Sequence, residues 1–193
     1  MYAKWTGTTN TITYDSKGGT SVSNGSFITG GSISAAPTAP TRAGYTLSGW
    51  SLTDGGSVIT YPYSPTATSG ITLYAIWAGI SYSISYNVNG GTGSVADATY
   101  TTGAAGITLN NGSSLTRSGY DFAGWKNVGG TTVSGSAYTP TDNVTVYAIW
   151  TPKSIAVTYD KGIATSTTAF PSNTTVAYGA NLTLSSGVDA STS

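Results

Sequence analysis

Apolar and polar residues alternate in short bursts along this chain, and the bursts are separated by glycine, proline and asparagine. The cleanest burst spans residues 80–89. There Ile80, Tyr82, Ile84, Tyr86 and Val88 fall on one side, and Ser81, Ser83, Ser85, Asn87 and Asn89 on the other. Side chains of a strand point alternately to its two faces, so this pattern predicts a strand with one buried face. The same reading gives strands at residues 11–15, 44–50 and 71–77, with a weaker one at 26–29. Lys17-Gly18-Gly19 and Asp54-Gly55-Gly56 read as turns, because paired glycine accepts positive φ. Residues 37–42 (Pro-Thr-Ala-Pro-Thr-Arg) are too rich in proline for a helix and read as an extended connector. Tyr61-Pro62-Tyr63-Ser64-Pro65 reads as a loop or edge segment. No stretch carries a helical period; helix formers are sparse and β-branched residues abound.

The strand pattern occurs more than once. Tyr-Ala-x-Trp stands at Tyr2 to Trp5, Tyr74 to Trp77 and Tyr147 to Trp150, and its tryptophans are 72 and 73 residues apart. Gly90-Gly91 follows Gly18-Gly19 by 72 residues, residues 119–125 match 44–50, and residues 144–150 match 71–77. Recurrence at a fixed period means tandem copies of one structural unit. The expected division is residues 1–7 as the last strand of an upstream repeat, 8–79 as repeat 1, 80–152 as repeat 2, and 153–193 as a truncated repeat 3. The third copy stops before any Gly-Tyr-x-x-x-Gly-Trp, so half its aromatic core is missing and it is expected to be poorly ordered alone. A unit of about 70 residues has little interior, which makes large rings the natural filling.

Composition narrows the chemistry. The 193 residues carry 7 Lys+Arg and 7 Asp+Glu, with no His and no Cys. The usual general base, thiol nucleophile and soft metal ligands are therefore absent. A neutral chain with two arginines lacks the clustered cations that bind phosphates, so no nucleic-acid partner is expected. No apolar run approaches the ~20 residues that span a membrane, so no membrane insertion is expected in this segment. Asp15 and Asp160 occupy matching strand ends, but the second copy has Asn87 there. An amide can cap a turn but cannot act as a catalytic acid, so turn formation is the better reading. Calcium needs only Asp carboxylates and backbone carbonyls, but no Asp-x-Asp-x-Asp-Gly loop occurs, so isolated Asp at turns is the stronger reading. A Lys–Asn crosslink stays an open alternative, with Asn available to Lys4, Lys126 and Lys153; it would usually need a buried acid, and no acid recurs at a fixed offset. No catalytic, cofactor-binding or metal residues are therefore expected.

Taken together, these motifs resemble the Listeria–Bacteroides repeat, also called the internalin B-repeat. The first copy has Pro37-x-x-Pro40-x-Arg42-x-Gly44-Tyr45-x-Leu47-x-Gly49-Trp50, then Ile71-Thr72-Leu73-Tyr74-Ala75-x-Trp77. The second keeps Arg117-Ser118-Gly119-Tyr120 without Pro-x-x-Pro, and the third has Lys161-Gly162-Ile163 in place of Gly-Gly. The resemblance implies a mostly β fold of small β-grasp-like modules, set as beads on a string. It further implies a tandem-repeat segment of a bacterial surface or secreted protein: an extracellular, cell-wall or cell-surface spacer or stalk with a role in adhesion, without enzymatic activity. Its partners would be neighbouring repeats of the same chain, and a host or surface protein or glycan. Short joins such as Trp77-Ala78-Gly79-Ile80 would limit bending. The alternative is a carbohydrate- or protein-binding module that uses exposed Tyr and Trp, with Tyr45, Trp50, Tyr74 and Trp77 as the rings available for stacking. Alternation favours burial for most of them. Within residues 71–77, however, Tyr74 and Ile76 face away from Leu73 and Trp77, so one ring per copy is expected on the outer face.

Overall fold

The chain is described here by a computed structural model covering residues 6–133, 135–159 and 172–183. Those residues form strands and no helix. The first repeat holds β1 (Thr9–Asp15), β2 (Gly25–Ile28), β3 (Tyr45–Ser51) and β4 (Ile71–Gly79). The second holds β5 (Ser81–Asn87), β6 (Ala98–Thr101), β7 (Tyr120–Lys126), β8 (Thr132–Val133) and β9 (Val144–Pro152). β10 (Ser154–Val157) and β11 (Thr174–Ala177) follow as an antiparallel pair. The strands expected at residues 11–15, 26–29, 44–50, 71–77 and 80–89 form, with ends displaced by one or two residues, and the strand expected within residues 1–7 falls largely outside the described residues. Trp5 of the first Tyr-Ala-x-Trp, Asp160, and Lys161 to Ile163 lie outside the described residues.

The first sheet has the order β2-β1-β4-β3. β1 pairs antiparallel with β2, from Thr9↔Ile28 to Ile12↔Gly25. It pairs parallel with β4, from Ile12↔Ile71 to Asp15↔Tyr74. The opening and closing strands of the repeat therefore lie side by side at the centre of its sheet. A parallel pair needs a long crossover, and the proline-rich segment 37–42 belongs to it as extended chain. The second sheet repeats the plan as β6-β5-β9-β7-β8, with β5 parallel to β9. Its extra strand β8 pairs with the end of β7 across the Asn127–Gly130 turn. In the first repeat the corresponding turn closes at Thr53–Gly56, and only the Ile59 N–H to Trp50 O bond follows it.

Each sheet buries one face. Ile12, Phe27, Ile33, Trp50, Leu73 and Ala75 form the first core, with Tyr14, Leu47, Tyr61 and Trp77 packed around it. Ile84, Leu109, Leu115, Trp125, Val146 and Ala148 are buried in the second repeat. The same ring pair recurs in both, edge to face: Tyr14–Trp50 at 4.9 Å and Tyr86–Trp125 at 4.7 Å between centroids. Edge-to-face geometry sets the positive ring edge against the negative face, a gain beyond area burial alone.

One expectation needs correction. Residues 44–50 read as a regular alternation, and in a regular strand Leu47 and Trp50 would point to opposite faces. Both meet the core. The β3–β4 register steps from Leu47↔Trp77 to Gly49↔Ile76, so Ser48 is an extra residue, a β-bulge. The bulge turns Trp50 inward opposite Ala75, where its exposure is 1 %. Gly49 carries φ +148°, a conformation that disfavours side chains, and a Cβ there would overlap Val58. The second repeat bulges identically between Phe122 and Gly124 (φ +126°), and Trp125 is buried. The Gly-Trp pair thus encodes a bulge followed by a core ring.

The described residues up to Tyr82, together with Tyr100–Ala104, form one compact unit; those of Ser83–Thr99 and from Ala105 onward form the other.

Candidate functional site: recurrent glycines and aromatic rings

The recurrent motifs are local devices, each visible twice. After β1 the chain turns through Asp15-Ser16-Lys17-Gly18-Gly19. Asp15 Oδ1 accepts from Lys17 N–H (2.9 Å) and Asn87 Oδ1 accepts from Asn89 N–H (2.8 Å). Lys17 and Asn89 both adopt positive φ, as do Gly18 and Gly90 after them. Carboxylate and amide perform the same turn-closing task, which explains why they exchange between copies.

The second glycine of each pair has a different reason. A Cβ at Gly19 would lie 2.6 Å from Trp77 Cζ2, and one at Gly91 would overlap the Trp150 ring. Each backbone lies flat on the indole of its own closing strand. The ring is pinned from the same turn: Trp77 Nε1–H donates to Ser16 O (2.9 Å) and Trp150 Nε1–H to Val88 O (3.0 Å). A half-buried indole needs a partner for its donor, and the turn supplies the partner and the flat surface together.

The Arg-x-Gly-Tyr run is a tight corner. Tyr45 N–H donates to Arg42 O (3.1 Å) and Tyr120 N–H to Arg117 O (3.0 Å). Gly44 and Gly119 each take φ +77° at the third position, as a type II turn requires. The guanidinium carbons of Arg42 and Arg117 stand 4.0 and 4.1 Å from the centroids of Tyr45 and Tyr120. Each cation is stacked on its neighbour's ring. Lys17 is paired with Asp54 at 2.6 Å, and its Nζ lies 5.9 Å from the Tyr74 ring. The rings proposed for ligand stacking therefore separate. Trp50 is in the core; Trp77 is half-buried against it; Tyr45 lies beneath Arg42; Tyr74 is half-buried and outside the core cluster. Among the described residues, no cluster of three or more acids gathers as a metal site.

Sequence reasoning overlooked Tyr61, which belongs to the loop after β3. Its hydroxyl is buried and makes no hydrogen bond, and Trp50 Nε1 beside the same core also makes none. The second repeat does better: Trp125 Nε1–H donates to Asn110 O at 2.6 Å. Burial first, and the Tyr14 phenol second, push the Tyr61 hydroxyl up to about 12. In the unfolded chain it ionises near 10. Below about pH 10 both states hold the proton and stability is unaffected. Between about 10 and 12 the unfolded chain releases it first, so stability falls as pH rises. Tyr14, raised by burial, and Lys17, raised first by its hydrogen bond to Asp54, act in the same direction. Tyr61→Phe is expected to flatten the fall in melting temperature across this window; an unchanged slope would assign it to the other groups.

These paired devices have parallels elsewhere. The pattern of the Listeria–Bacteroides repeat domain matches residues 11–76 and again 82–149. A protein of Evansella cellulosilytica, named as a membrane protein, is 30 % identical over 163 residues, which is 83 % of this chain and 24 % of that protein. The chain thus spans about a quarter of that relative's length. No solved structure gives a significant match. With two consecutive matches that between them cover more than half of its residues, the chain belongs to the Listeria–Bacteroides repeat domain family.

Proposed function

We propose that this chain is a load-bearing spacer in a bacterial surface protein, built from β-grasp-like modules at residues 8–79 and 80–152, with no catalytic task. The supporting observation is the parallel pairing of each repeat's first strand with its last, β1 with β4 and β5 with β9. Tension on a module pulls the start of its first strand and the end of its last strand in opposite directions. In a parallel pair that load lies along the strands and shears the whole ladder at once, instead of opening its bonds one by one. The aromatic devices fit this reading, since rings and glycines hold each sheet closed. The membrane designation of the Evansella relative and the family's occurrence in surface proteins support a position outside the cell. Stretching the chain by single-molecule force spectroscopy is expected to give separate unfolding events. Each should release roughly 70 residues at about 3.3–3.6 Å apiece. Smooth extension with no such events would refute the reading.

A second reading rests on Tyr74, the ring left outside the core on the sheet's outer face. Adhesion to a glycan would run through it. Glycan-array binding that disappears in Tyr74→Ala at unchanged melting temperature would favour that role.

A further inference from the structure

We propose that the Arg-x-Gly-Tyr corner of each repeat is a docking surface whose partner is the second-strand end of the following copy. This deepens the spacer reading and rests on it: the joint between copies becomes a built interface instead of a free linker. The same contacts occur twice. In the first case Ile80 N–H donates to Gly44 O (2.9 Å), and Thr102 N–H, just past β6, donates to Ile80 O (2.9 Å). In the second, Lys153 N–H donates to Gly119 O (2.8 Å), and Tyr178 N–H, just past β11, donates to Lys153 O (2.8 Å). The chain leaving one copy is thus sandwiched between that copy's corner and the next copy's strand end.

Side chains close the gap. The bare face of Gly44 is covered by Thr102, 2.9 Å from where a Cβ would stand, and the Tyr45 hydroxyl lies 2.7 Å from a Cβ built on Gly103. The bare face of Gly119 is covered by the Tyr178 ring, which also meets Tyr120 edge to face at 5.6 Å. The absent side chain in Arg-x-Gly-Tyr therefore serves the neighbour as well as the turn. The first copy has the same turn at its second-strand end. Thr29 N–H donates to Thr8 O (2.9 Å) and Gly30 has φ +78°, as at Thr102-Gly103 and Tyr178-Gly179, yet no described atom lies within 4 Å of a Cβ placed on Gly30. The turn is thus part of each copy, and the corner is what docks on it. A small patch suffices, because the short covalent join keeps its partner at high effective concentration.

Tyr178 is exposed and far in sequence from the second repeat's core, so its replacement leaves that core intact. Calorimetry on the full 193-residue chain decides the matter. Tyr178→Ala should lower the second repeat's melting temperature by about 4 °C, the shift expected for losing one aromatic pair in a module this size. In a Tyr120→Ala background the same change should do nothing more. No shift in the wild-type background, or equal shifts in both, would overturn the proposal. If the joint fails this test while modules still unfold singly under force, the spacer reading stands without it.

Discussion

Trp50→Ala should abolish the first repeat's melting transition and leave the second repeat folded, its transition lowered by only a few degrees. Trp50 is 1 % exposed, meets Tyr14 edge to face and sits opposite Ala75 in the ladder. Truncating a buried tryptophan costs about 3–5 kcal/mol, because transfer energy is lost and the space left cannot fully collapse. A β module of about 70 residues has a thin core, and total stabilities start near 5 kcal/mol. The loss is thus comparable to everything holding the module together. Ile84, Trp125 and Val146 of the second repeat belong to another core and are untouched. Calorimetry or tryptophan fluorescence through a thermal ramp would show one transition missing and one retained. A small loss shared by both transitions would mean that the two cores are not independent.

Gly91→Ala should rank next, destabilising the second repeat by about 3 kcal/mol. The added methyl overlaps the Trp150 ring, and Thr116 O lies only 3.1 Å from it. The indole cannot retreat easily, because its donor is fixed to Val88 O and Phe122 stands against it at 5.8 Å. Forcing extra volume into such a site costs about 1–3 kcal/mol, and here the pinned ring puts the expected loss at the upper end. The adjacent glycine makes an informative contrast. Gly90 has φ +82°, and the nearest atoms to an added Cβ are those of the Arg117 guanidinium at ordinary contact distance from 3.7 Å, so Gly90→Ala pays for conformation alone, about 1–2 kcal/mol. Urea denaturation of the two variants should therefore separate them in that order. Equal losses would show that the turn, and not the ring, sets the demand for glycine at both positions.

Much of this was legible before any coordinates. Strand positions followed from period two, because one buried face imposes it; residues 80–89 show it plainly. The outward placement of Tyr74 followed from the same count. The repeat period itself flagged the rings as structural. What alternation could not reveal was the bulge at Ser48, since one extra residue flips every face beyond it. Counting from Leu47 puts Trp50 on the outside; the clue lay in the glycine before each of Trp50 and Trp125. The two glycines of Gly18-Gly19 look equivalent in sequence, yet one is chosen for φ and the other for an indole 58 residues away in the chain. Such a demand comes from a distant partner and leaves no local signature. Tyr61 was overlooked for a similar reason: a proline-flanked tyrosine reads as loop, and only the fold shows that the loop covers the core.

Hydrogen exchange of the indole Nε1–H groups, followed by NMR on the intact chain, tests the central claim most directly. Trp77, Trp125 and Trp150 donate to backbone carbonyls, and Trp50 is shielded by burial. All four protons are expected to exchange slowly, those of each repeat released together when that repeat opens. Exchange at the rate of free tryptophan for most of them would mean that the recurring rings face solvent and do not hold the modules together.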